Sequence, residues 1–475
     1  KQTTPVKYRE VLGNSSGNSA NSFLKFRHNT NFWADRLKEE DGGGIFFAGV
    51  PAHSMTGSEN LKEYAETHPE YFSLKNGKRI TDRMGQVCFS NSEMRDAVVK
   101  SSLKLLRAKP QASYISVTPG DNGNYCECEN CKKLYEKYSL SDLFVMLANK
   151  VARAVKDEFP KVKVHIFAYA ALQEPPKVAI EDNVIVQYCY NACKNHSFAD
   201  DNCPVNAEKR KYFEEWTKRA KNVLLWDYAN CFKYELFSLP SIKNMLSEFR
   251  YYADHRVTGM FFEYIHMDGV GSSVFAELKT YLLSKLMWDP YMSEEEFSRH
   301  KTEFARLYYG RGYEKILEYI DLYENTLSDN AHFSYDLLKF HKSADGEWSC
   351  RRSEDGEYGP DFDSLIEENK RETFFKKAFA LFDAAAALAA DEQKERIAKD
   401  RIQVLYLYNI FNFDKAMKSG TEEEKEKVLS VNKELIDGII RYDLRITFWG
   451  QSTENMHEEL MNCYSVTPRK WNYKW

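Results

Sequence analysis

Across residues 23–330, short apolar runs alternate with amphipathic stretches, and this alternation constrains the chain more than any other feature. Strand-like runs fall at 23–28, 44–49, 113–118, 162–169, 184–190, 223–228 and 258–264. Most are continuously apolar, the pattern of parallel strands covered on both faces, where neither face meets water. Helical patterns occupy 92–107, 141–158, 206–220, 240–255 and 275–287 between them. Asn91 and Ser92 supply capping chemistry before the first, and Pro160 closes the second. Strand–helix alternation repeated this often predicts an α/β fold, a (β/α)8 TIM-like barrel rather than an open sheet. An eighth strand is not evident, so the expected barrel is irregular.

Beyond Asp289-Pro290 the β pattern stops, and 294–325, 362–417 and 421–442 read as amphipathic or Ala-rich helices. The expected organisation is a polar N-terminal segment over 1–22, a catalytic barrel over 23–290 and a helical C-terminal domain over 291–475. A Lys at position 1 followed by polar sequence reads as a mature or trimmed start from which a signal peptide is already gone. No run approaches the roughly 18 apolar residues of a membrane span. A net charge of −5 without a basic cluster argues against a nucleic-acid partner.

The strand ends hold the chemistry. Tyr114–Val117 runs into a Gly-rich turn with Asp121 and Asn122; VLLWDY ends in Trp226-Asp227-Tyr228; Glu263 closes the run from Gly259, with His266 and Asp268 after it; His53 follows GIFFAG. One carboxylate at a strand end commonly caps the next helix or pairs with an arginine. Several converging on one barrel rim imply a task, because burying carboxylates together is costly. Glycoside hydrolysis needs such a pair: one protonated to donate to the leaving oxygen, one ionised to attack the anomeric carbon or activate water. The candidates are Glu263 and Asp227, with Asp121 third. His53, Asn122, His196 and His266 are candidates for binding sugar hydroxyls or an N-acetyl group, and Tyr169, Tyr188, Trp226 and Tyr228 for ring stacking and cleft wall. His165, mid-strand, reads as a core histidine. The chain has no P-loop, G-x-S-x-G or post-strand G-x-G-x-x-G, which argues against nucleotide and serine-hydrolase chemistry.

Cys126, Cys128 and Cys131 form a C-x-C-x-x-C cluster. Three thiolates at this spacing suit three corners of a tetrahedral zinc, with a further ligand from elsewhere: Cys193 first, or His196 or Cys203 in the same loop. A structural zinc, a local disulfide and unpaired thiols all remain open, and a zinc-dependent hydrolase is a rival chemistry.

Taken together, several motifs are similar to one bacterial family. They are His53-Ser54; Thr67-His68-Pro69-Glu70-Tyr71-Phe72 with Gly77-Lys78-Arg79; Asp121-Asn122 with Tyr125-Cys126-x-Cys128-x-x-Cys131; Cys193-x-x-His196 with Cys203-Pro-Val-Asn206; Trp226-Asp227-Tyr228; and Leu286-Met-Trp288-Asp289-Pro290. The family was long catalogued as a domain of unknown function and is linked to glycoside hydrolase family 163. The resemblance runs over about 44–309. It implies a secreted, periplasmic or cell-surface enzyme of glycan-foraging gut bacteria that needs no cofactor. The activity it implies is a retaining endo-β-N-acetylglucosaminidase acting on host-type complex N-glycans. The alternative is a non-catalytic glycan-binding protein on a glycosidase fold.

Overall fold

The computed structural model describes residues 4–12, 27–31, 44–55, 60–189, 192–231, 235–264, 273–332, 341–342, 348–349 and 365–444. Eight strands form the central sheet: β1 (Tyr8–Leu12), β2 (Thr30–Asn31), β3 (Ile45–Ala48), β4 (Tyr114–Ser116), β5 (Lys163–Ala168), β6 (Val184–Cys189), β7 (Val223–Tyr228) and β8 (Val257–Glu263). Their order is β1-β8-β7-β6-β5-β4-β3-β2, and every pairing is parallel. The sheet closes at Asn29, whose backbone N–H donates to the Arg9 carbonyl at 3.1 Å and whose side-chain oxygen accepts from Arg9 N at 3.0 Å.

The eighth strand is β1, inside the stretch read as a polar lead-in. Five residues in YREVL, beginning Tyr, Arg and Glu, lack the continuous apolar signature of the other strands. Six expected strands are present with ends shifted by a few residues. For the run at 23–28, residues 23–26 lie outside the described set, and the strand there is β2, Thr30–Asn31.

Helices pack outside the barrel: α1 (Ser92–Ala108), α2 (Glu129–Lys137), α3 (Leu140–Glu158), α4 (Pro204–Arg219), α5 (Ile242–Asp254) and α6 (Ala276–Trp288). Asn91 caps α1 by accepting from Met94 N at 2.9 Å, and Ser139 forms a capping box with Asp142 at α3. The helical region follows with α7 (Glu294–Tyr309), α8 (Tyr313–Thr326), α9 (Glu368–Leu388), α10 (Asp391–Ser419) and α11 (Glu422–Arg441). The expected helix over 294–325 is broken at Gly310, whose φ of +61° lies outside the helical region that a side-chain-bearing residue would keep.

This region docks on the barrel through carboxylates. Glu324 of α8 accepts from the backbone N–H groups of Ile242 and Lys243 at 2.9 Å each, satisfying the start of α5. Asp400 of α10 accepts from Phe275 N and from the Tyr309 hydroxyl, both at 2.6 Å, at the start of α6. Each supplies the negative charge that a helix N-terminus favours, from a distant part of the chain. No described helix is long and apolar enough to cross a membrane.

Gly259 shows how tightly β1 and β8 meet. It pairs with Tyr8, and a Cβ there would lie 2.3 Å from Tyr8 Cβ and 2.5 Å from Leu224 Cδ2. Gly259→Ala is therefore expected to destabilise the fold by about 1–3 kcal/mol through overpacking, measured by chemical denaturation against the wild-type chain.

Candidate active site at the barrel mouth

Alternation along each strand decides which side chains see the barrel interior. Tyr8, Phe47, Tyr114, Phe167, Ile185, Cys189, Leu224, Trp226, Tyr228 and Phe261 form one inner cluster, distinct from the layer between sheet and helices. Glu263, two residues beyond Phe261 on β8, shares that inward face. The Trp226 indole N–H donates to Glu263 Oε2 at 3.0 Å, fixing the carboxyl's orientation at the C-terminal end of the barrel.

Glu263 keeps some solvent-accessible surface while surrounded by protein. Loss of hydration pushes its carboxyl up to about 7; the Trp226 hydrogen bond opposes the rise and the charge of Asp121 adds to it. The thiol of Cys189 is pushed well up by burial and by the charges of Glu263 and Asp121. These three groups therefore share one electrostatic neighbourhood.

Asp121 is exposed on the loop after β4. In the barrel order β4 and β8 stand four strands apart, so Asp121 and Glu263 face each other across the mouth. The Asp121 loop is held from below by Gln86. Its amide donates to the carbonyls of Gly120 at 2.8 Å and Asn122 at 2.9 Å and accepts from Gly120 N at 3.1 Å. Asn122 turns its own side-chain oxygen toward Gln86 Nε2 at 3.2 Å and Asn124 N at 3.0 Å. His53 has a left-handed backbone (φ 55°), and its ring Nδ1–H donates to the Pro119 carbonyl at 2.9 Å, beside the same loop. Its ring packs edge-on to Phe167 at 5.7 Å. Tyr228 belongs to the inner cluster and Tyr169 packs against it.

Three expected residues are not brought to this cavity. Asp227 lies between the inward Trp226 and Tyr228 and points outward. It is 2% exposed, and its carboxylate pairs with the similarly buried Lys194 and accepts from Tyr228 N at 2.7 Å. Glu248 of α5 lies within the field of this pair, and burial pushes its carboxyl up to about 7. Tyr188 also faces outward, donating to the Lys209 carbonyl at 2.7 Å and packing on Phe213. His196 sits with Cys193, Cys203 and His332. A fourth candidate, His266, lies outside the described residues.

The cysteine groupings differ from the expected one. Cys126, Cys128 and Cys131 are joined by Cys88, not Cys193, and Cys193 belongs to the separate set with His196, Cys203 and His332. Cys88 sits just before α1 and His332 comes 129 residues after Cys203, so neither is near its partners in sequence. Glu10 also escapes a reading of the sequence. It is 2% exposed on β1, opposite Phe261 in register and so on the inward face, one level below Glu263.

A family model described as Domain of unknown function (DUF4838) matches residues 1–321. The chain belongs to this family. Among curated proteins none matches. Among solved structures it is similar to a GH138 enzyme targeting pectin rhamnogalacturonan II, at 9% identity and a TM-score of 0.41, covering 96% of this chain and 65% of that one. An O-GlcNAc hydrolase of Thermobaculum terrenum matches at 9% identity and 0.43, covering 97% and 94%. A family 89 glycoside hydrolase of Clostridium perfringens matches at 13% and 0.46, covering 92% of this chain and 54% of that one. The chain thus spans less than two thirds of the first and about half of the third. Similarity this low assigns no activity.

The raised carboxyl of Glu263 has a stability consequence. The folded state holds its proton where the unfolded chain, at the ordinary 4.5, has lost it, so this contribution is complete at acid pH and disappears as pH rises through about 7. Glu263→Gln should therefore be more stable than wild type at pH 8, by on the order of 2–3 kcal/mol, with the difference vanishing near pH 4; paired denaturation curves at the two pH values read this. Lys194→Met removes the cation paired with the buried Asp227 carboxylate and should cost about 3–5 kcal/mol in the same measurement.

Proposed function

We propose that the chain is a glycoside hydrolase whose reaction is carried by Glu263 and Asp121. The observation that carries this reading is the placement of Glu263 at the barrel mouth, oriented by an indole N–H and opposite Asp121, where burial pushes its carboxyl up to about 7. In this reading Glu263 donates its proton to the glycosidic oxygen as the bond to the anomeric carbon breaks. The Asp121 carboxylate attacks that carbon from the opposite face. Glu263, now ionised, takes a proton from the water that releases the sugar. A retaining pair would lie about 5–5.5 Å apart and an inverting pair about 6.5–9.5 Å apart, and the retaining route is the one proposed.

His53 and Asn122, on loops at the same mouth, are the proposed contacts to sugar hydroxyls, and Trp226, Tyr169 and Tyr228 the walls against which a sugar ring packs. Asp227 and Tyr188 take structural roles in this reading, between sheet and helices. The finer proposal is endo-β-N-acetylglucosaminidase action on complex N-glycans by a secreted, periplasmic or cell-surface protein without a cofactor. It rests on the resemblance of the strand-end motifs to glycoside hydrolase family 163.

The test is incubation with complex N-glycans, intact and trimmed of terminal sialic acid and galactose, with products read by mass spectrometry. An oligosaccharide ending in a new reducing GlcNAc is expected. Glu263→Gln and Asp121→Asn should each lower kcat/KM by at least about 100-fold. In wild type, kcat/KM should fall as pH rises past about 7, because the acid is lost, and Glu263→Gln should lack that limb. Losses under tenfold in both variants would sink the assignment. Glycan binding without any product would favour the non-catalytic alternative.

A further inference from the structure

Two groups of side chains outside the barrel mouth remain to be explained. Cys88, Cys126, Cys128 and Cys131 place four sulfurs within 4.8 Å of one another. Cys193, His196, Cys203 and His332 do the same with two sulfurs and two imidazoles. Cys88 Sγ lies 3.8 Å from Cys128 Sγ and 3.7 Å from Cys131 Sγ. In the second set Cys193 Sγ is 3.3 Å from His196 Nδ1, and Cys203 Sγ is 3.7 Å from His332 Nδ1. A tetrahedron with bonds of about 2.3 Å to sulfur has edges of about 3.8 Å, slightly shorter where nitrogen replaces sulfur. A disulfide would bring its sulfurs to about 2.05 Å. No described cysteine is in a disulfide.

We infer that the chain binds two zinc ions, one held by four cysteines and one by two cysteines and two histidines, and that both are structural. The donors are all sulfur or imidazole nitrogen, the set that suits zinc rather than magnesium or calcium. Four protein ligands fill each tetrahedron, leaving no position for water or substrate.

The surroundings supply the outer contacts that such a site needs. Cys126 Sγ accepts from Leu74 N at 3.4 Å and from the Arg79 guanidinium at 3.9 Å, and Ser90 Oγ lies 3.5 Å from Cys128 Sγ. Arg79 offsets part of the excess negative charge of four thiolates around a dication. At the second site Asn206 Oδ1 accepts from Cys193 N at 2.7 Å, while its amide donates to the carbonyls of Cys193, His196 and Ser197 at 3.3–3.4 Å. Asn195 donates to the carbonyls of Ser328 and Ala331, at 2.9 and 3.0 Å, and so anchors the segment that presents His332.

Each ion would fasten what the backbone alone leaves apart. The all-cysteine site joins the hairpin of Leu74–Lys75 and Lys78–Arg79 to the starts of α1 and α2, beside Gln86, which holds the Asp121 loop. The mixed cysteine–histidine site joins the loop after β6 and the start of α4 to the segment after α8, tying barrel to helical region next to Lys194. The sites rest on side-chain geometry and stand or fall independently of the proposed hydrolase activity.

The test is elemental analysis and native mass spectrometry of the whole chain purified from zinc-replete medium. Two zinc ions per chain are expected. Cys88→Ser should lose one and His332→Ala the other, each variant keeping the remaining ion. Exchange with cobalt reads the two sites separately in the folded wild type, since sulfur-rich and mixed tetrahedral sites absorb differently. A wild-type chain with no stoichiometric metal, its mass lowered by two hydrogens per bridge, would overturn the inference in favour of disulfides. Two ions retained in both variants would overturn the ligand assignment.

Discussion

A closed barrel permits each strand residue one of two environments, and the pairing of β1 with β8 sets which one it gets. Tyr8 lies against Gly259, the one residue type that leaves room for it, and from there the register runs Glu10 to Phe261 and Leu12 to Glu263. A slip by one residue would turn Glu263 out among the helices and bring Phe262 to the mouth. The same parity on β7 separates two neighbours completely. Trp226 reaches inward to hold Glu263, and Asp227 reaches outward to Lys194.

That separation gives the two acidic groups different surroundings. Glu263 has a neutral donor and a like charge for company, so dehydration prevails and it keeps its proton to about 7. Asp227 is buried more completely, and an ammonium lies in direct contact with it. At Glu263 burial raises the carboxyl against the opposing hydrogen bond from Trp226, and Asp227 is held in an ion pair between sheet and helices.

The helical region takes part in the same scheme. Glu324 and Asp400 cap α5 and α6 from later in the chain, and Lys243 adds a bond to the Glu324 carbonyl at 3.0 Å. The region beyond residue 290 thus supplies acceptors for the first N–H groups of two barrel helices. The set of two cysteines and two histidines adds a third tie at His332. The barrel's later half and the helical region consequently form one mechanical unit, built on charge and on contacts among thiols and imidazoles as well as apolar burial.

Much of this is legible in the sequence. Largely apolar runs mark β3 to β8, because both faces are buried, while Asn91 marks the start of α1 and Pro160 the end of α3. Glu263 stands out as the polar end of such a run. The strand β1 does not, since its inward residues include Tyr and Glu and its outward Arg9 lies under a Trp288 ring, 5.3 Å away, and so reads as polar sequence. The sequence alone determined the architecture and the residue types gathered at its rim, because periodicity and apolar content are local properties. Only the tertiary structure decided that Glu263 faces Asp121 while Asp227 faces Lys194, and that Cys88 and His332 complete two separate sets. Those outcomes depend on strand register and on contacts between residues far apart in the chain, which no local pattern encodes.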